Sequence, residues 1–363
     1  MNKFFPEMKK NFGFGCMRLK MDGDVVDIRE FSRMVDTFLE NGFNYFDTAS
    51  GYIGGLSEKA LKEGLTSRYP REKYLLTNKL SSHLFEKQED IAPVLDRQLE
   101  ACGVDYFDFY LMHAQSSNNY DQYRNAHAYE TVLELKKAGK IRHMGISFHD
   151  SAEFLDKILT ENPEIEVVQL QFNYVDYEDD RVQSRLCYEV CQKHGKPVLV
   201  MEPVKGGNLV NMPDAAGKIL DELGGGSRAS YAIRFAASFP NVVMVLSGMG
   251  SMEMMNDNIS FMKDFKPLDA KEMEAVKRVA SIYHGEEQIP CTGCRYCVEG
   301  CPQQIPIPDI FVAVNQGKIR GEKADLEKIP GGKAADCVKC RKCEKVCPQF
   351  LPIRNFLRKL AKN

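Results

Sequence analysis

From Asn11 to about Lys263, short apolar runs alternate with longer stretches in which apolar and polar positions recur at helical spacing. Eight runs read as buried strands: "FGFGCM", "NYFDTA", "YLLTNKL", "DFYLMHA", "HMGISF", "VVQLQFN", "PVLVMEP" and "VVMVLSG". The seven intervals between them carry helical signals. "AYETVLELKKAGK" sets apolar side chains at i, i+3, i+4 and i+7, and "DIAPVLDRQLEACG" stops on Gly103, as helix C-termini often do. A further helix, "SMEMMNDNISFMKDF", follows the eighth run. Strands and helices in this alternation predict an α/β fold, a closed parallel (β/α)8 TIM barrel. An open doubly wound sheet is the alternative, but no Gly-x-Gly-x-x-Gly turn follows the first strand.

The pattern then changes. "KPLDAKEMEAVKRVASIYHG" reads as a helix leaving the barrel and "EEQIP" as a linker, so the expected division is a barrel over 1–284 and a second domain over 285–363. That second domain is small and mainly helical, with helices expected in "IPDIFVAVNQGKI" and "LPIRNFLRKLAKN". A length of 363 residues suits a barrel with an appendage better than two equal halves.

Composition narrows the class. Hydrophobic content of 44% and charged content of 27% are globular values, and a net charge of -3 gives no reason to expect nucleic acid. No run approaches the roughly 20 apolar residues of a membrane span. "MNKFFPEMKKNFGFG" lacks the apolar stretch of a signal peptide, so a cytoplasmic protein with no membrane partner is expected. Eight of the twelve cysteines fall in two spaced runs, which in a reducing compartment favours metal ligation over disulfides.

Those runs are "CTGCRYCVEGCP", Cys291 to Pro302, and "CVKCRKCEKVCP", Cys337 to Pro348. Both space their thiols Cys-x2-Cys-x2-Cys-x3-Cys-Pro, which suits a [4Fe-4S] cube held from a tight loop. Zinc also takes four thiolates, but usually from two separated Cys pairs. The runs resemble those of two-cluster ferredoxins. That resemblance implies a ferredoxin-like iron-sulfur domain in which the fourth Cys crosses over: Cys291, Cys294, Cys297 and Cys347 at one cluster, Cys337, Cys340, Cys343 and Cys301 at the other. Cys102, Cys187 and Cys191 lie on helices, the last two on one face as packed thiols.

In such a barrel the chemistry sits at the C-terminal ends of the strands. There the sequence puts Asp47, the following-loop Tyr52, Lys79 and His113. A lysine ammonium beside a tyrosine lowers the phenol's pKa, and a carboxylate keeps the lysine charged and oriented. Such a tyrosine can give a proton to a carbonyl oxygen as hydride arrives at its carbon. Singly, Asp47 reads equally well as a helix cap, Lys79 as a solvated rim residue and His113 as a core histidine. His143 and His194 read as surface residues.

"FDTASGY", "LLTNK" and "DFYLMH" resemble, in order and separation, the motifs of the aldo/keto reductases, and the similarity runs from about Gly13 to Asn258. The resemblance implies a barrel that binds NADPH or NADH in extended form and reduces a small-molecule carbonyl. Tyr52 is then the acid, with Asp47, Lys79 and His113 as its partners. It further implies that Cys16 and Met17 line the cofactor and that Ser147 and Gln169 hold the nicotinamide carboxamide. Gly248, Met249 and Gly250 fall in the segment under the adenosine phosphate, with Asn258 near the adenine. Three positions depart from the family pattern: Phe148 replaces a frequent Asn, Met201 a frequent aromatic on the nicotinamide, and Met254 an Arg common in NADPH users. Without that guanidinium a 2'-phosphate lacks its planar partner.

Hydride passes directly between nicotinamide and substrate, so the clusters are surplus to that reaction. Three readings follow. The first is a carbonyl reductase with a structural or regulatory cluster domain. The second is an electron-transfer enzyme served by a ferredoxin or flavoprotein partner, and the third a binding module that senses nicotinamide redox state. The intact tetrad positions favour the first two. From Cys337 to Asn363 eight Lys/Arg stand against one acidic residue, a surface able to steer an acidic partner or merely to offset cluster charge.

Overall fold

Eight parallel strands close into a barrel: β1 (Phe12–Gly15), β2 (Tyr45–Asp47), β3 (Leu75–Leu80), β4 (Phe107–Gln115), β5 (Ile141–Phe148), β6 (Val167–Gln171), β7 (Val198–Met201) and β8 (Val242–Ser247). Neighbours pair in sequence order and β8 closes onto β1. This is a computed structural model that describes residues 3–285 and 288–361. Met1 and Asn2, Glu286 and Glu287 of the expected linker, and Lys362 and Asn363 of the expected last helix lie outside the described residues.

The barrel interior is a packed apolar layer that includes Tyr45, Leu75, Phe109, Leu111, Leu199 and Met244. Gly13 on β1 makes room for it, since a Cβ there would stand 2.8 Å from Leu246 and 3.0 Å from the Met244 sulfur. The N-terminal segment seals the lower end, with Phe5 edge-on to Phe109 at 5.0 Å. His143, expected at the surface, is drawn into this seal. Its two ring nitrogens meet Glu7 at 2.7 Å and Glu166 at 2.9 Å. Outside the strands, the helix Ile28–Glu40 shows how the sequence pattern works: Phe31, Met34, Val35 and Phe38 form its buried stripe, and Asp27 caps it by accepting from the Glu30 N–H.

A short antiparallel hairpin, Met21–Asp22 with Val25–Val26, follows β1 and was not expected. Two residues per arm are too few to display alternation. Among the described residues no helix is long and apolar enough to cross a membrane.

Beyond the helix Ala270–Gly285 the described residues form four α-helices, Tyr296–Glu299, Ile307–Arg320, Lys342–Lys345 and Ile353–Leu360, around a separate core that includes Ile305, Phe311, Leu351 and Leu357. The two cysteine loops share one backbone path. Arg295 and Arg341 both have φ of 67°, and Gly293 and Lys339, two residues before them, have 69° and 59°. This unit sits on the mouth of the barrel. Arg18 donates to the Thr292 carbonyl at 2.8 Å, Asn208 to the Cys291 carbonyl at 2.9 Å, and Gln349 exchanges hydrogen bonds with Gln171 at 2.7 and 3.0 Å.

Candidate active site

Asp47 ends β2 and Lys79 is next to last on β3, so the two side chains meet at the mouth. The Lys79 ammonium is fully buried and uses all three donors: Asp47 Oδ1 at 2.7 Å, the Thr48 carbonyl at 2.9 Å and the Tyr52 hydroxyl oxygen at 3.0 Å. Tyr52 starts a tight turn in which Ile53, Gly54 and Gly55 all have positive φ. Gln169 on β6 donates to the second Asp47 oxygen at 3.1 Å.

His113 stands in a β-bulge, where the β4 register against β5 shifts between Met112 and Gln115 and Ala114 has φ of 51°. Its Nδ1 bonds Ser81 Oγ at 2.6 Å, and its ring lies edge-on to Tyr52 with centroids 6.2 Å apart. Burial, then the Lys79 charge and the rings of His149 and His83, hold His113 well below the usual imidazole range. It is a neutral imidazole at neutral pH.

Tyr52 runs against expectation. Burial, then the Asp47 and Glu202 carboxylates, raise its hydroxyl well above the ordinary phenol range, and the neighbouring Tyr296 opposes them only in part. The buried Asp47–Lys79 pair offers no net positive charge to reverse this. Burial also lowers the Lys79 pKa, against the opposing pull of Asp47.

The tetrad opens into a cleft of about 690 Å³ that runs to the helix Met252–Met262. Met17, Ser147, Gln169, Met201, Gly248, Met249 and Asn258 line it, and so does His149. Ser147 accepts from the Ala114 N–H at 2.8 Å, which leaves its own hydroxyl free to donate. Two expected residues fall elsewhere. β1 ends at Gly15, and Cys16 turns into the main core, fully buried, with its N–H bonded to the Asp47 carbonyl. Gly250 backs onto Arg18, whose carbonyl would lie 3.0 Å from a Cβ there.

Other lining residues went unread: Arg18, Gln171, Glu202 and, from the C-terminal unit, Cys294, Tyr296, Pro348 and Gln349. Cys294 was expected only as a cluster ligand, and the only signal for Tyr296, Pro348 and Gln349 was their place beside the spaced cysteines.

The eight spaced cysteines gather in two sets. Cys291, Cys294, Cys297 and Cys347 surround one small void, and Cys301, Cys337, Cys340 and Cys343 another. Among the described residues no three His, Cys, Asp or Glu side chains converge as ligands of a single ion would. Thiols set around a void fit a [4Fe-4S] cube better than zinc. Cys294 borders both the first void and the cleft at the barrel mouth.

Comparison with known proteins agrees with this architecture. The aldo/keto reductase family matches residues 11–281 and the 4Fe-4S dicluster domain residues 290–351. The chain is 28% identical over 216 residues to the NADH-specific methylglyoxal reductase of Escherichia coli, an alignment covering 54% of this chain and 62% of that protein. It is 25% identical over 279 residues to L-galactose dehydrogenase of Arabidopsis thaliana, covering 72% and 84%. It thus spans less than two thirds of the length of the first of these relatives. Among solved structures, the holo form of an aldo-keto reductase from Bacillus halodurans superposes with a TM-score of 0.61 at 24% identity, covering 75% of this chain and 96% of that one. An aldo-keto reductase from Klebsiella pneumoniae in complex with NADPH gives 0.61 at 18%, covering 74% and 90%. The chain belongs to the aldo/keto reductase family of oxidoreductases and carries a 4Fe-4S dicluster domain at its C-terminal end.

Proposed function

We propose that the chain reduces a small aldehyde or ketone, with Tyr52 handing its proton to the carbonyl oxygen. The observation that carries this reading is the Lys79 ammonium spanning Asp47 and the Tyr52 oxygen at 2.7 and 3.0 Å. When bound in the cleft, a nicotinamide dinucleotide supplies the hydride. The chain's own residues bind, orient and protonate. Neutral His113, fixed by Ser81, orients the carbonyl oxygen beside the phenol. The free Ser147 hydroxyl and the amide oxygen of Gln169, whose nitrogen is taken by Asp47, suit the two ends of a carboxamide.

NADH fits the distal end of the cleft better than NADPH. Glu253 and Asp257 line that end beside Met254, and Arg18 is the only Lys or Arg among the described lining residues. Arg18 is already engaged by Glu202 at 3.3 Å and the Thr292 carbonyl. A 2'-phosphate would meet carboxylates and no guanidinium of its own.

Two [4Fe-4S] clusters are assigned to the two cysteine sets, four thiolates each. A second reading, electron exchange with an acidic ferredoxin or flavoprotein partner, is favoured by one observation. Cys340 is exposed beside Lys339, Arg341 and Lys345, whereas Cys294 borders the catalytic cleft.

The test is anaerobic turnover of NADH with a panel of small aldehydes and ketones. Tyr52→Phe should lower kcat/KM by about 10²–10⁴-fold with iron content unchanged. Full activity in that variant overturns the proton-donor role. Bleaching of cluster absorbance by NADH alone would favour the second reading.

A further inference from the structure

Glu58 and Gln98, on the helices Leu56–Leu61 and Ile91–Cys102, are buried polar side chains that are not among those lining the cleft. Both reach the same hydroxyl. Ser50 Oγ donates to Glu58 Oε1 at 3.2 Å and accepts from Gln98 Nε2 at 2.7 Å. Each also reaches β3: Asn78 Nδ2 donates to Glu58 Oε1 at 2.7 Å, and Gln98 Nε2 donates to the Lys79 carbonyl at 2.8 Å. We propose that Ser50, Glu58 and Gln98 are positioning residues that brace the Tyr52 loop against β3 and so set the contact between the Tyr52 hydroxyl and the Lys79 ammonium. The inference rests on Tyr52 being the proton donor.

The backbone ladder stops short of that contact. β2 pairs with β3 as far as Asp47 with Thr77, and the Thr48 N–H adds a bond to the Thr77 carbonyl at 3.0 Å. Lys79 and Tyr52 lie beyond it. At Ser50, two residues before Tyr52, side chains take over: one hydroxyl joins the loop to Asn78 through Glu58 and to Lys79 through Gln98.

Two further bonds fix which way the amides point. The Tyr110 hydroxyl donates to Gln98 Oε1 at 2.6 Å, which turns the Gln98 nitrogen and its two protons toward Ser50 and Lys79. The Lys79 N–H donates to Asn78 Oδ1 at 2.8 Å, which turns the Asn78 nitrogen toward Glu58. A buried network with matched donors and acceptors holds a single geometry, and displacing a reacting group by about 1 Å can cost about 10²-fold in rate.

The experiment compares Ser50→Ala, Glu58→Ala, Glu58→Gln and Tyr52→Phe in iron-replete full-length protein, in anaerobic turnover of NADH with an aldehyde or ketone of the panel. Ser50→Ala cuts both braces at one partly buried atom, and kcat should fall about tenfold with KM for NADH and iron content unchanged. The solvent deuterium isotope effect on kcat should rise, because a misplaced phenol makes proton transfer more limiting; a purely structural role would lower Tm and leave it unmoved. Glu58→Ala should show the same two changes, and Glu58→Gln, which keeps a carbonyl oxygen for both donors, should restore most of kcat. Together, Ser50→Ala and Glu58→Ala should cost less than the product of their separate losses, because they cut one link. Should Glu58→Ala fail to fold, Ser50→Ala against Ser50→Thr, which keeps the hydroxyl, gives the same comparison. Wild-type kcat and isotope effect in Ser50→Ala overturn the proposal, and so does a Glu58→Gln as slow as Glu58→Ala, which would assign the effect to charge. An inactive Tyr52→Phe beside an unaffected Ser50→Ala overturns only the brace, whereas an active Tyr52→Phe overturns the proton-donor reading itself.

Discussion

Gly206 lies so close beneath Thr292 that a Cβ on it would stand 2.2 Å from the Thr292 carbonyl oxygen. Gly206 also has φ of 65°, a left-handed conformation that costs a side-chain-bearing residue further energy. The loop after β7 and the first cysteine loop therefore meet backbone to backbone. Gly206→Ala should push the cysteine loop off the barrel and destabilise the protein by about 1 kcal/mol or more. The checks are a lowered Tm and faster removal of iron by a chelator. Wild-type resistance to the chelator would mean that the contact does not hold the two parts together.

The ionisation of the tetrad sets a pH signature. Because burial, Asp47 and Glu202 keep Tyr52 protonated well beyond the ordinary phenol range, carbonyl reduction should persist from neutral into alkaline solution. Alcohol oxidation needs the phenolate and should keep rising over the same span. His113, depressed by burial and then by Lys79, contributes with the opposite sign. The unfolded chain takes up a proton there near pH 6.5 that the folded chain refuses, so stability should fall as the pH drops below 6.5. Tm measured between pH 5 and 8, wild type against His113→Gln, isolates this contribution. The wild-type slope should be the steeper of the two.

The barrel was legible because eight strands buried on both sides leave near-continuous apolar runs, and the tetrad because it sits at strand ends, where local sequence fixes position. Cys16 was misplaced because β1 stops one residue earlier than its apolar run, which turns that side chain into the core. Tyr52 was expected to titrate low because the lysine beside it was visible, while the burial and the Glu202 carboxylate that outweigh it were not. Arg18, Tyr296 and Gln349 could not be found for a different reason. Gln349 meets Gln171 across 178 residues of chain, and no periodicity or spacing links the two. Docking one domain on another is decided by surface shape, to which local pattern is blind.

Cofactor choice is a question of charge at one end of the cleft. Glu253 and Asp257 line it, and Asp257 is held by Ser227 Oγ at 2.7 Å, so its carboxylate stays in place. NADH should show the higher kcat/KM in steady-state turnover. Met254 is 53% exposed beside these carboxylates, so Met254→Arg can be introduced without disturbing the core. A guanidinium there should improve NADPH by about tenfold relative to NADH, the effect of one charge-assisted hydrogen bond. An unchanged ratio would show that the 2'-phosphate lies elsewhere.

The crossed arrangement of the cysteines has consequences that differ between two residues of equal rank in their runs. Cys347 ends the second run but surrounds the first void with Cys291, Cys294 and Cys297, and Gln349, two residues on, reaches Gln171 and Lys205. Cys301 ends the first run and surrounds the second void, away from the cleft. Cys347→Ser should therefore remove the cluster nearest the barrel, about four irons of about eight, and loosen both Gln349 and the loop that carries Tyr296. Cys301→Ser should remove the other four and leave NADH-dependent carbonyl reduction near wild type. Iron analysis with low-temperature electron paramagnetic resonance of the reduced proteins follows the clusters, and steady-state kcat follows the site. If instead Cys301→Ser impairs catalysis and Cys347→Ser spares it, each run ligates its own cluster and the crossing is wrong.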